Sequence, residues 1–166
     1  FKPRTMIGTS FSIIAPTGEY DSSKLINLST NRWAFKPEIG FVHVMGRWAL
    51  DAYVAGAFFT DNTDFYGGQT REQDPIFSTQ MHVRYLFKPG LWGAIDGNFW
   101  VGGQSTVDGN ANDDKQNNSR VGATVSIRLS ARQALRIAAS RGAITRIGGD
   151  FTSIGMSYSY SWMTKP

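Results

Sequence analysis

Two histidines, 13 carboxylates and 17 lysines and arginines are the groups of this 166-residue chain that could move protons, hold metals or attract charged ligands. There is no cysteine, which removes thiolate zinc sites, cysteine nucleophiles and disulfide scaffolds together and leaves the compartment open. Acid–base or nucleophilic catalysis would need a histidine beside a serine or an acid. His82 alternates with Gln80 and Arg84 and reads as one member of a polar row; His43 falls on an apolar face beside a tight turn. No G-x-S-x-G, H-E-x-x-H or phosphate-loop pattern occurs. The chain is read as a non-enzyme without catalytic residues or cofactor.

The segment Asp108-Gly109-Asn110-Ala111-Asn112-Asp113-Asp114 places oxygen ligands at alternate positions, with Asp108, Asn110, Asn112 and Asp114 as a weak cation set. A calcium loop expects Gly at its sixth position and Glu at its twelfth; here these are Asp113 and Ser119. A flexible polar loop is the better reading, and no metal is expected. Asp61-Asn62-Thr63-Asp64 is read the same way. The net charge of +4 is too small and too dispersed for nucleic-acid binding.

The elements that must carry these groups are strands. With 18 Gly and 13% aromatic residues against 18% charged, the composition favours an all-β chain. Eight segments alternate with period two: Thr5–Ile14, Ala34–Val44, Trp48–Phe59, Pro75–Phe87, Leu91–Val101, Ser119–Leu129, Ala134–Ala143 and Thr152–Trp162. No apolar run approaches the roughly 18 residues of a membrane helix, whereas transmembrane strands need only about 9–11. The connections alternate strictly. Short turns at Met45-Gly46-Arg47, Lys88-Pro89-Gly90 and Ser130–Gln133 separate long polar loops at Ala15–Trp33, Thr60–Asp74, Gly102–Asn118 and Ile144–Phe151. A soluble sandwich has no reason to gather every long loop at one end, but an outer-membrane barrel does.

Charge placement tests that idea. Ten of the 13 acidic residues lie in the long loops. Within the strands, Lys36, Glu38, Asp51, Arg84, Asp96, Arg120, Arg128 and Arg136 all share the polar phase; only Arg141 falls on the apolar one. A lipid-facing charge at mid-bilayer costs roughly 2–4 kcal/mol, so a spanning barrel requires this segregation. The apolar phase carries Trp48, Phe58, Phe87, Tyr158, Tyr160 and Trp162 towards its ends, as interfacial girdles do. The expected architecture is an antiparallel up-and-down transmembrane β-barrel, one domain over residues 1–166.

On this reading Lys36, Glu38, Asp51, His82, Arg84, Asp96, Arg120, Arg128 and Arg136 face a lumen, where they form either a charged constriction or a salt-bridge network that plugs it. Asp51 and Arg84, at similar height on neighbouring strands, are expected to pair.

Several blocks also carry a resemblance. They include Asn31-Arg32-Trp33-Ala34-Phe35-Lys36-Pro37-Glu38, Phe58-Phe59-Thr60-Asp61-Asn62-Thr63-Asp64-Phe65, Arg71-Glu72-Gln73-Asp74-Pro75, Pro89-Gly90-Leu91-Trp92 and Thr106-Val107-Asp108-Gly109. In this order they resemble the outer-membrane β-barrel family of transporters of the meta-pathway of phenol degradation. The resemblance implies a Gram-negative outer-membrane location and passive uptake of small, aromatic or hydrophobic solutes. Its partners would be the lipid bilayer, lipopolysaccharide and the solute. Ser153, Gly155, Tyr158 and Tyr160 resemble the terminal signal read by the barrel-assembly machinery. Family members carry further sequence before the position of Phe1, so two expectations stand together: eight strands closing alone, or the C-terminal eight of about twelve. The competing function is a non-conducting barrel with a plugged lumen and working external loops.

Overall fold

A computed structural model describes residues 4–162. Eight long strands form one antiparallel sheet: β1 (Arg4–Ile14), β2 (Ala34–Met45), β3 (Trp48–Phe59), β6 (Ile76–Lys88), β7 (Leu91–Gly102), β10 (Gln116–Arg128), β11 (Gln133–Thr145) and β12 (Thr152–Tyr160). Their order in the sheet is their order in the chain, an up-and-down meander. Each matches one of the eight alternating segments to within a few residues. Among the described residues there is no α-helix, only a single 3-10 turn at Tyr66–Gly68.

The sheet is open. β1 pairs only with β2 and β12 only with β11, so each outer strand has one bonded side and one free side among the described residues.

Two of the long connections depart from the expectation of flexible loops. β4 (Asn62–Phe65), β5 (Gln69–Gln73), β8 (Ser105–Val107) and β9 (Asn110–Ala111) form a second, four-stranded sheet. Its central pairing joins Arg71 to Val107 and Gln73 to Ser105 across two different connections. Such non-local pairing leaves no periodic trace in either segment. The β8–β9 hairpin does have a local cause: Asp108 and Gly109 lie at φ +46° and +78° between the paired Val107 and Asn110. A two-residue Asp-Gly loop with both residues at positive φ is the type I′ turn that suits strand twist.

Directly opposed residues in an antiparallel ladder point to one face. The rows Asp51–His82–Asp96 and Ala49–Arg84–Ala94 therefore share a face with Glu38, Arg120 and Arg136. The opposite face carries most of the large apolar side chains, and many of them are bare: Ile95 is 70% exposed, Met156 75% and Ile154 78%. Among the described residues only Ala34 and Ala49 are buried apolar ones. A water-soluble domain of this size would bury most of its large apolar residues. This sheet presents them outwards instead.

The sheet meets the loops at a strained glycine. Gly102 ends β7 at φ +107°, and a Cβ there would run into the carbonyl oxygen of Pro75. Gly102→Ala should lower stability by about 1–3 kcal/mol, read from the urea midpoint in detergent. Gly97→Ala, where the new Cβ meets nothing within 4 Å, should leave that midpoint unchanged.

Candidate functional site

The polar face of β3, β6, β7 and β10 gathers the strongest side-chain contacts among the long strands. His82 Nδ1 lies 2.6 Å from Asp96 Oδ1, and Thr124 Oγ1 donates to Asp96 Oδ2 at 3.1 Å. The Tyr53 ring stands edge-on to His82, with centroids 6.2 Å apart. Gly40, opposite Tyr53, makes room for that ring: a Cβ there would come within 2.8 Å of it.

The expected Asp51–Arg84 pair does not form; no ion pair joins them within 4 Å. Register explains this, because Asp51 stands opposite His82 while Arg84 stands opposite Ala49, one inward step away. Arg84 leans over the indole of Trp92 at 5.8 Å and Arg136 over the same ring at 5.4 Å. One aromatic ring thus serves two guanidiniums. Asp51 Oδ1 is buried without a hydrogen-bond partner among the described residues. These side chains border a cavity of about 310 Å³.

Nearer the loops, Lys36 and Glu38 line a larger cavity of about 630 Å³ with Gln80, Asn98 and Trp100. Arg120 reaches the loop after β11, donating to Ser140 Oγ at 3.2 Å and to the Phe151 carbonyl at 3.1 Å, and covers the Phe151 ring at 4.2 Å. Arg128 lies at the opposite, short-turn end, exposed, its amide bonded to Gly90 O at 2.6 Å. These nine residues therefore share one face of the sheet, spread from its loop end to its short-turn end. The direct hydrogen bond or ion pair among them is His82–Asp96.

The aromatic residues fall at both ends of the outward face. Trp48 meets Tyr85 tilted and Tyr85 meets Phe87 edge-on near the short turns, where Tyr160 and Trp162 also meet, tilted. Tyr158 stands exposed on the same strand, β12. Phe58 meets Phe77 edge-on at the loop end, where Phe11, Phe35 and Trp33 form a stack. His43, also on the outward face, bonds Thr5 Oγ1 at 2.7 Å.

The weak cation set is dispersed by its own hydrogen bonds. Asp108 Oδ1 accepts from Thr70 N at 2.9 Å, and Asp114 accepts from Ser105 N and Oγ at 2.8 and 2.5 Å. Asn112 Nδ2 donates to Ser105 Oγ at 2.9 Å, while Asn110 Nδ2 turns back to the Asp108 carbonyl at 3.3 Å. Among the described residues no three histidines or acids converge as metal ligands would.

Sequence reasoning missed the hub of the loops. Asn62 is 2% exposed; it accepts from Asn31 Nδ2 at 3.0 Å and donates to Tyr20 Oη at 2.8 Å, tying the first loop to the second. It also missed two arginines. Arg32 covers Phe59 at 4.4 Å and donates to Gln73 Oε1, and Arg71 covers Phe65 at 5.3 Å. Burial, then the nearby Arg71 charge, lower the Arg32 pKa against the opposing influence of Asp61. Burial alone would raise the Asp114 carboxyl, but the bonds from Ser105 and the charge of Arg71 outweigh it, and its pKa is lowered.

The family described as "Putative MetA-pathway of phenol degradation" matches residues 1–160. Among solved structures, the chain is similar to an outer membrane channel from Pseudomonas putida F1, with 28% identity and a TM-score of 0.78. The match covers 94% of this chain and 59% of that one, so the chain spans under two thirds of the channel's length. No curated protein matches.

The loop carboxylates give a pH test. Bonds from the Ser23 hydroxyl and amide, with Lys24 beside them, hold Asp21 at about 2 instead of 3.8. A lowered carboxyl stabilises the fold fully above its unfolded pKa, and that stabilisation is lost as pH falls through the folded value. NMR titration in micelles should show the Ser23 amide constant from pH 8 to 5 and shifting with a midpoint of about 2. A midpoint at 3.8 would mean the bonds are not made.

Proposed function

Because the chain belongs to this phenol-degradation family, we propose that its eight long strands are wall strands of a bacterial outer-membrane β-barrel channel for passive uptake of small, aromatic or hydrophobic solutes. The carrying observation is the division between the two faces. Every strand charge named above except Arg141 shares the inward face, while the outward face is apolar and exposed. That is the inverse of a soluble barrel and what lipid outside and water inside require.

The size of the inward residues supports a lumen over a plug. Ala49, Ala55, Ala57, Ala94, Gly122 and Ala138 share that face with the charges. A closed barrel of about eight strands is just wide enough for side chains to fill it, and small residues at these six positions would leave part of such an interior unfilled. In hydrocarbon no backbone N–H or C=O can be left unpaired, so the reading needs partners for β1 and β12 within the membrane. The 59% coverage of the Pseudomonas putida channel favours further wall strands as those partners.

Arg84, Trp92 and Arg136 would form the narrow, positive part of the path, with His82 and Asp96 fixed across from them. The aromatic ends would sit at the two interfaces, against lipid and lipopolysaccharide. Ser153, Gly155, Tyr158 and Tyr160 on β12 would engage the assembly machinery.

Conductance of the detergent-purified protein in a planar bilayer is the test. Discrete, reproducible steps are expected, and Arg84→Ala or Arg128→Ala should shift the reversal potential towards cations. Folded, inserted protein that stays silent would overturn the channel reading in favour of a plugged barrel with functional loops. On the lipid side, Ile95→Arg should cost about 2–4 kcal/mol of folding free energy in bilayers. The neighbouring Asp96→Asn, on the inward face, should cost clearly less in the same measurement.

A further inference from the structure

The loop sheet holds a second place where charge, apolar surface and space coincide. Arg32 and Arg71 reach it from segments 39 positions apart in sequence, and both line a cleft of about 240 Å³ with Tyr20, Asn62, Phe65 and Ile26. Neither guanidinium has a carboxylate within 4 Å among the described residues. Asp61 acts on Arg32 and Arg71 on Asp114 only through space. Arg32 Nε and Nη1 and Arg71 Nε are buried and have no acceptor among the described residues. A buried donor left unsatisfied costs roughly 1–3 kcal/mol, more when it is charged, so the arrangement favours an added anion.

The surroundings show what kind of anion. Phe59 and Phe65 cover the faces of the two guanidiniums, an interaction that holds the charge without neutralising it. Gln73 is pinned by its bond to Gly103 O at 2.8 Å and turns its carbonyl oxygen to Arg32, fixing that fork. Tyr20 is fixed in turn by Asp64 O at 3.0 Å. At the rim Leu25 and Ile26 stand 64% and 88% exposed, an apolar lip at the end otherwise rich in acids. A bare inorganic anion has no use for that lip. The volume lies below the roughly 300–1,000 Å³ of drug-sized pockets, which suits one ring over a fused system.

We propose that this cleft is a capture site for small aromatic carboxylates, the carboxylate held by Arg32 and Arg71 and the ring packed against Phe65, Tyr20 and the Leu25–Ile26 lip. Arginine forks recognise carboxylates in a planar, two-bond geometry, and pairing two of them over one group would neutralise their mutual repulsion. The site lies in the loop sheet, apart from the inward face of the long strands, and does not depend on whether the lumen conducts.

Equilibrium binding tests it without reference to transport. The full chain in detergent would be titrated calorimetrically with benzoate, its neutral relative benzamide and inorganic phosphate. Saturable benzoate binding is expected, at least about tenfold tighter than benzamide, with Arg71→Gln weakening it about tenfold or more. Arg132→Gln, in the exposed short turn at the opposite end of the strands, should leave the affinity unchanged. Should Arg71→Gln disturb folding, Ile26→Asp on the exposed rim serves instead and should repel benzoate by a similar factor. Three outcomes would overturn the proposal: benzamide binding as tightly as benzoate, benzoate affinity lost in Arg132→Gln but kept in the Arg71 and Ile26 variants, or phosphate binding as tightly as benzoate. The last would assign the arginine pair to phosphate, free or on a lipid headgroup.

Discussion

Everything in this protein depends on the two-residue repeat of the extended chain. Successive side chains in a strand point to opposite faces, so one choice of phase places a whole strand's charges together. Here all eight long strands make the same choice. Lys36, Asp51, Arg84, Asp96, Arg120 and Arg136 share a face with alanines, glycines, serines and the rings of Tyr53, Trp92 and Trp100, while most of the large aliphatic and aromatic residues share the other. With only Ala34 and Ala49 buried as apolar residues, the described strands have no hydrophobic core of the usual kind. Cohesion comes from the backbone ladder and from polar contacts on the charged face, while the apolar face stays exposed.

That constraint shifts specificity to the inward face and to the loops. On the inward face, the ladder decides who can meet whom. Asp51 and Arg84 have complementary charge and similar height, yet they are offset by one inward step, and Asp96 takes His82 instead. Arg84 and Arg136 turn to Trp92, so two positive charges share an aromatic surface.

The loops are a structured unit of their own. Asn62 joins the first two by hydrogen bonds to Asn31 and Tyr20, and β5 and β8 join the second to the third. Asp108 and Asp114, which suggest a cation loop in sequence, are instead acceptors for backbone amides of that sheet. The same fold brings Arg32 beside Arg71 over the rings of Phe59 and Phe65. Acids lie near enough to act on these arginines through space, yet neither arginine makes an ion pair with one.

The eight long strands, their antiparallel meander and the side of the sheet taken by each charge were legible in the sequence. These features follow from local alternation and from tight turns such as Met45-Gly46-Arg47, which any stretch of chain carries within itself. The Asp108-Gly109 turn residues were also present in the sequence, although the segment reads there as a flexible polar loop. Only the tertiary structure decided the His82–Asp96 contact, the Asn62 hub, the loop sheet and the meeting of Arg32 with Arg71. Each of these joins residues from different segments at a geometry set by ladder register or loop packing. Alternation tells a residue which face it takes; which neighbour it finds there depends on the offset between strands, and no single segment encodes that.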